Sequence, residues 1–157
     1  MSKVKQTNIY IDGSCINNPG PGGYGIIVEY DGQKKEISGG FSKTTNNRME
    51  VMAAIVALES LKEKCNVTLY SDSKYLVDAI IKGWAKNWKA KGWMRNKKDR
   101  ALNPDLWDRL LSLCDKQEVI FKWVRGHDGH TENERCDQLA QQMARQRNLP
   151  IDKGFRN

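Results

Sequence analysis

The chain has no closely spaced cysteine pair. Cys15, Cys65, Cys114 and Cys136 are scattered, without a C-x-x-C among them, which argues against a disulfide framework or a redox motif. Its two histidines, His127 and His130, have only Cys136 near them as a further zinc ligand. Cys136 falls on the apolar stripe of an expected helix, so zinc is disfavoured. No apolar run is long enough to span a bilayer and no signal-peptide h-region is present, which reads as a reduced, soluble, cytoplasmic protein with no membrane partner. The glycine-rich stretch Asn17-Asn18-Pro19-Gly20-Pro21-Gly22-Gly23 is not followed by G-K-[ST], which excludes a P-loop.

What the chain does have is a pair of strand-like runs that each end on an aspartate. In Asn8-Ile9-Tyr10-Ile11-Asp12-Gly13-Ser14, alternation puts Ile9 and Ile11 on one face and Tyr10 and Asp12 on the other, and delivers Asp12 into a turn. Asn66-Val67-Thr68-Leu69-Tyr70-Ser71-Asp72-Ser73 repeats the pattern and ends on Asp72. A carboxylate at a strand end is held by a stiff element yet stays close to water, which suits a metal ligand or general base. Aspartate before glycine is also an ordinary turn residue, so the pairing of the two carries the argument.

Asp31-Gly32 is a type I′ hairpin signal joining strands over 24–30 and 34–41. Met49, Met52, Ala53, Val56, Ala57, Ser60 and Leu61 recur at helical spacing. They predict a helix over 47–64 with one apolar stripe and Glu50 at its flank, about 100° from Met49. A helix over 73–82 follows, closed by Gly83, and Asn103-Pro104 opens another with Asn103 as N-cap. A strand over 118–125 comes next, and Thr131-Glu132-Asn133-Glu134 reads as a capping box for the last helix. That helix buries Cys136, Leu139, Ala140, Met143 and Ala144 and leaves Asp137 at the edge of the stripe. The order predicts an α/β fold: a five-stranded mixed sheet, three strands antiparallel and two joined in parallel through helical crossovers, flanked by helices. Asp12 and Asp72 then fall at neighbouring strand ends. A length of 157 residues fits one domain, spanning 1–149, with a loose tail over 150–157.

Charge is concentrated. Between Lys82 and Arg100 stand eight bases (Lys82, Lys86, Lys89, Lys91, Arg95, Lys97, Lys98 and Arg100) and one acid, Asp99, so this segment carries the whole net charge of +7. Trp84, Trp88 and Trp93 are interleaved with them. Lysines that displace counterions from phosphates, alternating with rings that pack on a strand, suit a nucleic acid. One or two of the tryptophans are expected to face the core, but a merely solvated helix does not explain charge of a single sign.

Four motifs now stand in order: Ile11-Asp12-Gly13-Ser14-Cys15, Thr44-Thr45-Asn46-Asn47-Arg48-Met49-Glu50, Ser71-Asp72-Ser73, and the run from Gly126-His127-Asp128-Gly129-His130 to Cys136-Asp137. In kind and spacing the chain closely resembles the bacterial ribonuclease HI family over nearly its whole length, and the segment over 82–100 is similar to that family's basic protrusion. The resemblance implies the ribonuclease H-like fold. It implies a monomeric, metal-dependent endonuclease with no obligate protein partner, cutting the RNA strand of RNA/DNA hybrids to 5′-phosphate and 3′-hydroxyl ends. It also implies roles. Asp12, Glu50, Asp72 and Asp137 are expected to bind two Mg²⁺ ions, with Mn²⁺ as a substitute, and His127 to move protons. Cys15, Asn18, Asn46 and Asn47 are expected along the hybrid's minor groove, and Lys43, Thr45 and Asn103 at a DNA phosphate. Trp84 and Trp88 flank the DNA strand, with Lys74, Lys86, Lys89 and Lys91 as further nucleic-acid contacts. The chain departs from the family pattern at Lys74, where glutamine is common, at an insertion before Trp84, and at Asp128, which is expected to raise the His127 pKa.

The chemistry agrees independently. Like charges about 4 Å apart repel by roughly 4 kcal/mol at an effective dielectric of about 20, and a hard divalent cation removes that cost while activating water at a phosphate. A silent hybrid-binding module is disfavoured because phosphate binding alone would favour losing the four acids. A DNA-cutting integrase relative is disfavoured because the chain shows no synapsis or sequence-reading module.

Overall fold

In the computed structural model, which describes residues 5–126 and 130–156, the elements run β1 (Lys5–Cys15), β2 (Gly20–Tyr30), β3 (Gln33–Thr44), α1 (Asn46–Glu59), β4 (Cys65–Ser71), α2 (Lys74–Ile81), α3 (Trp84–Ala90), α4 (Pro104–Lys116), β5 (Glu118–Trp123) and α5 (Thr131–Ala144). The sheet order is β3-β2-β1-β4-β5. The first three strands are antiparallel, and β4 pairs in parallel with both β1 and β5. This is the mixed sheet read from the sequence, with β1 at its centre. The β2–β3 hairpin turns on Asp31 and Gly32 at φ 52° and 74°, the pair of left-handed residues that a type I′ turn demands.

Alternation along β1 divides the molecule. Ile9 and Ile11, fully buried, join Ile26, Met49, Leu69, Leu106 and Trp107 in a core between the sheet and α1, which is backed by α4. The opposite face of β1 and β2 receives α5. A Cβ on Gly25 would collide with the Cys136 carbonyl, and one on Gly23 would lie 2.8 Å from the Ala144 amide, so bare backbone in β2 is what lets α5 sit down on the sheet.

Four expectations are corrected. Helix α1 has no single stripe: every residue from Arg48 to Ile55 is buried, because the helix lies between the sheet and α4. It also stops at Glu59, where the Ser60 hydroxyl donates to the Ala57 carbonyl at 2.6 Å and competes with the next turn. The capping box does not form, since His130 is the N-cap and makes no side-chain cap bond. Thr131 is thereby drawn inside the first turn, where Glu132 and Glu134 are favoured by the helix dipole.

The tail expected to be loose is tied down. Asp152 is 7% exposed and meets Arg48 at 2.7 Å, and the Ser42 amide donates to the Pro150 carbonyl. An ion pair leaves no periodic trace, which is why hydropathy did not reveal it. Among the described residues, no helix is long and apolar enough to cross a membrane.

Candidate active site

Contrary to expectation, Asp12 does not end its strand: β1 runs on to Cys15 with Asp12 paired to Gly25. Its pairing with β4 stops at Tyr10–Tyr70, so Asp12 stands just past that junction, β4 ends one residue before Asp72, and the first turns of α1 bring Glu50 up beside them. One backbone contact sets the spacing. The Gly13 amide donates to Asp12 Oδ1 at 2.9 Å and to Glu50 Oε1 at 3.1 Å, so a single N–H holds two carboxylates. A Cβ on Gly13 would lie 2.7 Å from the Glu50 nitrogen; only glycine lets α1 come this close.

Ligand-capable oxygens of Asp12, Glu50 and Asp72 lie within 4.8 Å of one another. Asp12 and Glu50 are buried, and Asp72 is half-buried. Among the described residues, Glu50 Oε2 is buried without a hydrogen-bond partner. Burial, and then the Asp72 charge, push the Asp12 carboxyl up to about 7, and the neighbouring Glu50 offsets this only in part. Glu50 is raised well above the ordinary carboxylate range by its complete burial and by the charges of Asp12 and Asp72. Hard oxygen donors, close together, with one unpartnered and two reluctant to ionise alone, fit a divalent cation. Asp137 reaches the same cleft from α5, its Oδ2 accepting from Gln141 at 2.9 Å. The cleft encloses about 530 Å³, and Asn46, Asn47, Lys74, Arg125, Gly126, His130, Asn133 and Glu134 also line it.

This geometry coincides with a family signature: the RNase H family profile matches residues 4–145. The chain belongs to the ribonuclease H family. As a ribonuclease H it is an endoribonuclease. It is 64% identical over 151 residues to the ribonuclease H of Desulforamulus reducens, a match covering 96% of this chain and 95% of that one. It is 54% identical over 157 residues to the ribonuclease HI of Synechocystis, covering 98% and 97%. Among solved structures it is similar to LC9-RNase H1, described as a type 1 RNase H with the type 2 active-site motif: TM-score 0.81, 31% identity, 92% of this chain and 74% of that chain.

The remaining expected contacts fall unevenly in this ribonuclease H. Asn46 and Asn47 stand on the cleft wall, and the exposed Asn18 accepts from the Asn46 amide at 3.0 Å. Cys15 is half-buried with its thiol 3.4 Å from the Gly20 and Thr44 carbonyls. Thr45 is occupied as the N-cap of α1, while the neighbouring Lys43 is exposed. Asn103 is already engaged, accepting from Arg48 at 3.1 Å and donating to Tyr75 at 3.0 Å. Trp84 is exposed on α3, with Lys82 over its ring. Trp88 is half-buried, its ring edge-on to Trp107. Lys86 and Lys91 are exposed, and Lys89 is paired with Asp108 at 2.7 Å. His127 and its neighbour Asp128 lie outside the described residues.

Two features escaped the sequence reading. Arg48 stood there only as part of a motif, yet it is buried and joins Asp105, Asn103 and Asp152. Asn133 lines the cleft and has a buried Oδ1 with no partner among the described residues; assigning its segment to a capping box hid it.

Proposed function

We propose that this ribonuclease H hydrolyses the RNA strand of RNA/DNA hybrids to 5′-phosphate and 3′-hydroxyl ends, largely without sequence preference. In this reading it works as a cytoplasmic monomer without an obligate protein partner, and Mg²⁺, with Mn²⁺ as a substitute, occupies two positions among Asp12, Glu50, Asp72 and Asp137. The observation that carries it is the cluster of Asp12, Glu50 and Asp72 oxygens within 4.8 Å of one another, in which Glu50 Oε2 has no hydrogen-bond partner among the described residues. Among the described residues nothing satisfies that oxygen, and a cation would.

When bound, the metal supplies Lewis-acid activation of the attacking water and charge neutralisation at the leaving oxygen. The chain's own residues do the rest. The Gly13 amide fixes Asp12 and Glu50 relative to each other, so their oxygens need no reorganisation as charge develops on the phosphate. The side chains of Asn46 and Asn47, which line the cleft together with Glu50, give donors and acceptors for a 2′-hydroxyl, the group that separates RNA from DNA. Exposed lysines of the segment over 82–100 hold phosphates without reading bases. His127 takes the proton-moving role, for which an imidazole has the right pKa range.

The test uses hybrid, DNA duplex and RNA duplex with each strand labelled in turn, incubated with Mg²⁺ or with excess chelator. Cutting of the RNA strand of the hybrid alone, stopped by chelator, is the expected result. Cutting of the DNA strand, or cutting that survives the chelator, overturns the proposal.

A further inference from the structure

Trp123 is absent from every motif above, yet it touches the catalytic turn twice. It is the last residue of β5, paired across the sheet with Ser71 at the end of β4. Its indole Nε1 donates to the Asp72 carbonyl at 3.0 Å, and its ring lies under the Lys74 ammonium, 4.8 Å from Nζ to centroid. The Val124 amide, next in the chain, donates to the Ser71 carbonyl at 2.9 Å. One side chain therefore clips residues 72 and 74, the first a member of the carboxylate cluster and the second a lysine on the wall of the same cleft.

Physical chemistry gives this clip a purpose. An ammonium two residues from a cluster of three carboxylates is drawn towards them by Coulomb attraction, into the place a divalent cation must take. An aromatic face is a competing seat for the same charge, and here the indole N–H fixes that face against the backbone of Asp72. At 42% exposure Trp123 is not a core residue, so packing alone does not explain its double engagement.

We propose that Trp123 is a positioning residue: it holds Lys74 off the acidic cluster and presents its ammonium to a phosphate of the strand being cut. This rests on the proposed reading of the cleft as the hybrid site. Loss of the ring releases Lys74 and costs one phosphate contact. Loss of the N–H alone leaves the seat in place.

The experiment measures binding of a fluorescent RNA/DNA hybrid against KCl concentration, with Mg²⁺ present and in an Asp12→Asn background so that the substrate survives. Lys74→Gln is expected to weaken binding several-fold and to lower the slope of log Kd against log salt by about one, the signature of one lost phosphate contact. Trp123→Leu is expected to do the same, Trp123→Phe to keep the slope, and Trp123→Leu added to Lys74→Gln to change nothing further. A merely structural tryptophan would shift melting temperature but not the salt slope. An unchanged slope in Trp123→Leu, or additive effects in the double variant, overturns the proposal. Failure of the function reading looks different: the protein with Asp12 restored would leave the RNA strand uncut while these slopes still differed. If the hybrid is not bound at all, both fall.

Discussion

Replacing Asp152 by asparagine tests how the tail supports the cleft. Arg48, 1% exposed, has five N–H donors, and all five are used. Nε and Nη2 go to Asp152 at 2.7 and 2.9 Å, Nη1 and Nη2 to Asp105 at 3.0 and 2.8 Å, and Nη1 also to Asn103 at 3.1 Å. Asp152 in turn accepts from the Thr44 hydroxyl at 2.7 Å. The asparagine side chain would keep one acceptor but turn an amide N–H₂ towards a guanidinium that can only donate, and would remove a buried counter-charge. Breaking a buried pair costs about 3–5 kcal/mol when nothing else compensates. Asp105 remains on the same guanidinium, so we expect about 2–3 kcal/mol, equivalent to roughly 4–12 °C in Tm for a chain of this size. Urea unfolding at pH 7 measures it. The loss should shrink in acid. Burial alone would raise the Asp152 carboxyl, but the Arg48 and Thr44 hydrogen bonds outweigh it and hold the group below its ordinary 3.8. A depressed folded pKa gives stability that is present above the unfolded pKa and lost as pH falls through the folded one. If Asp152→Asn matches the wild type within about 0.5 kcal/mol at pH 7, the size of an ordinary surface substitution, the tail is not anchored as described.

The carboxylate cluster has the opposite sign. Asp12 is raised from 3.8 to about 7, so without metal the fold loses stability as pH climbs through that window, by at most about 4 kcal/mol from this group. Asp12→Asn should therefore melt higher than the wild type in chelator at pH 8 and not at pH 4; a lower melting point at pH 8 would contradict the assignment. Gly13→Ala, whose methyl would press on the Glu50 nitrogen and the Met49 carbonyl carbon at 2.7 and 2.8 Å, should push α1 off β1. We expect a loss of about 1–3 kcal/mol and at least a tenfold fall in kcat, read by melting and by turnover at saturating hybrid. Lys86→Ala should weaken hybrid binding and its salt dependence more than Lys89→Ala does, because Asp108 already neutralises Lys89; equal slopes would refute this.

The acids that the structure brings together were legible because each sits where local pattern is strongest. Period-two alternation fixed the face of Asp12, and a second strand of the same form fixed Asp72. Glu50 was placed on the right helix, but its burial was not legible, because that depends on how closely α1 packs on β1 at Gly13, beside Asp12 and Asp72. The same reason hid the Arg48–Asp152 pair, whose partners are held together by tertiary packing. Trp88 shows both patterns at once: it stands in the basic segment that points to nucleic acid, and it packs against the core with its ring T-shaped to Trp107, as expected for one or two of these tryptophans. In the last helix the cap was placed one residue late, since a capping box and a first turn rich in glutamate share the same letters.

The most direct test of the central claim, that the clustered acids Asp12, Glu50 and Asp72 form a cation site, is calorimetric titration of Mg²⁺ into the protein at pH 7 in two buffers of different ionisation enthalpy. Carboxyls that are reluctant to ionise must give up protons as the metal arrives. The account predicts uptake with proton release in the wild type, and weaker uptake with fewer protons released in Glu50→Gln. Uptake with no proton release, or identical isotherms for the two proteins, would contradict it.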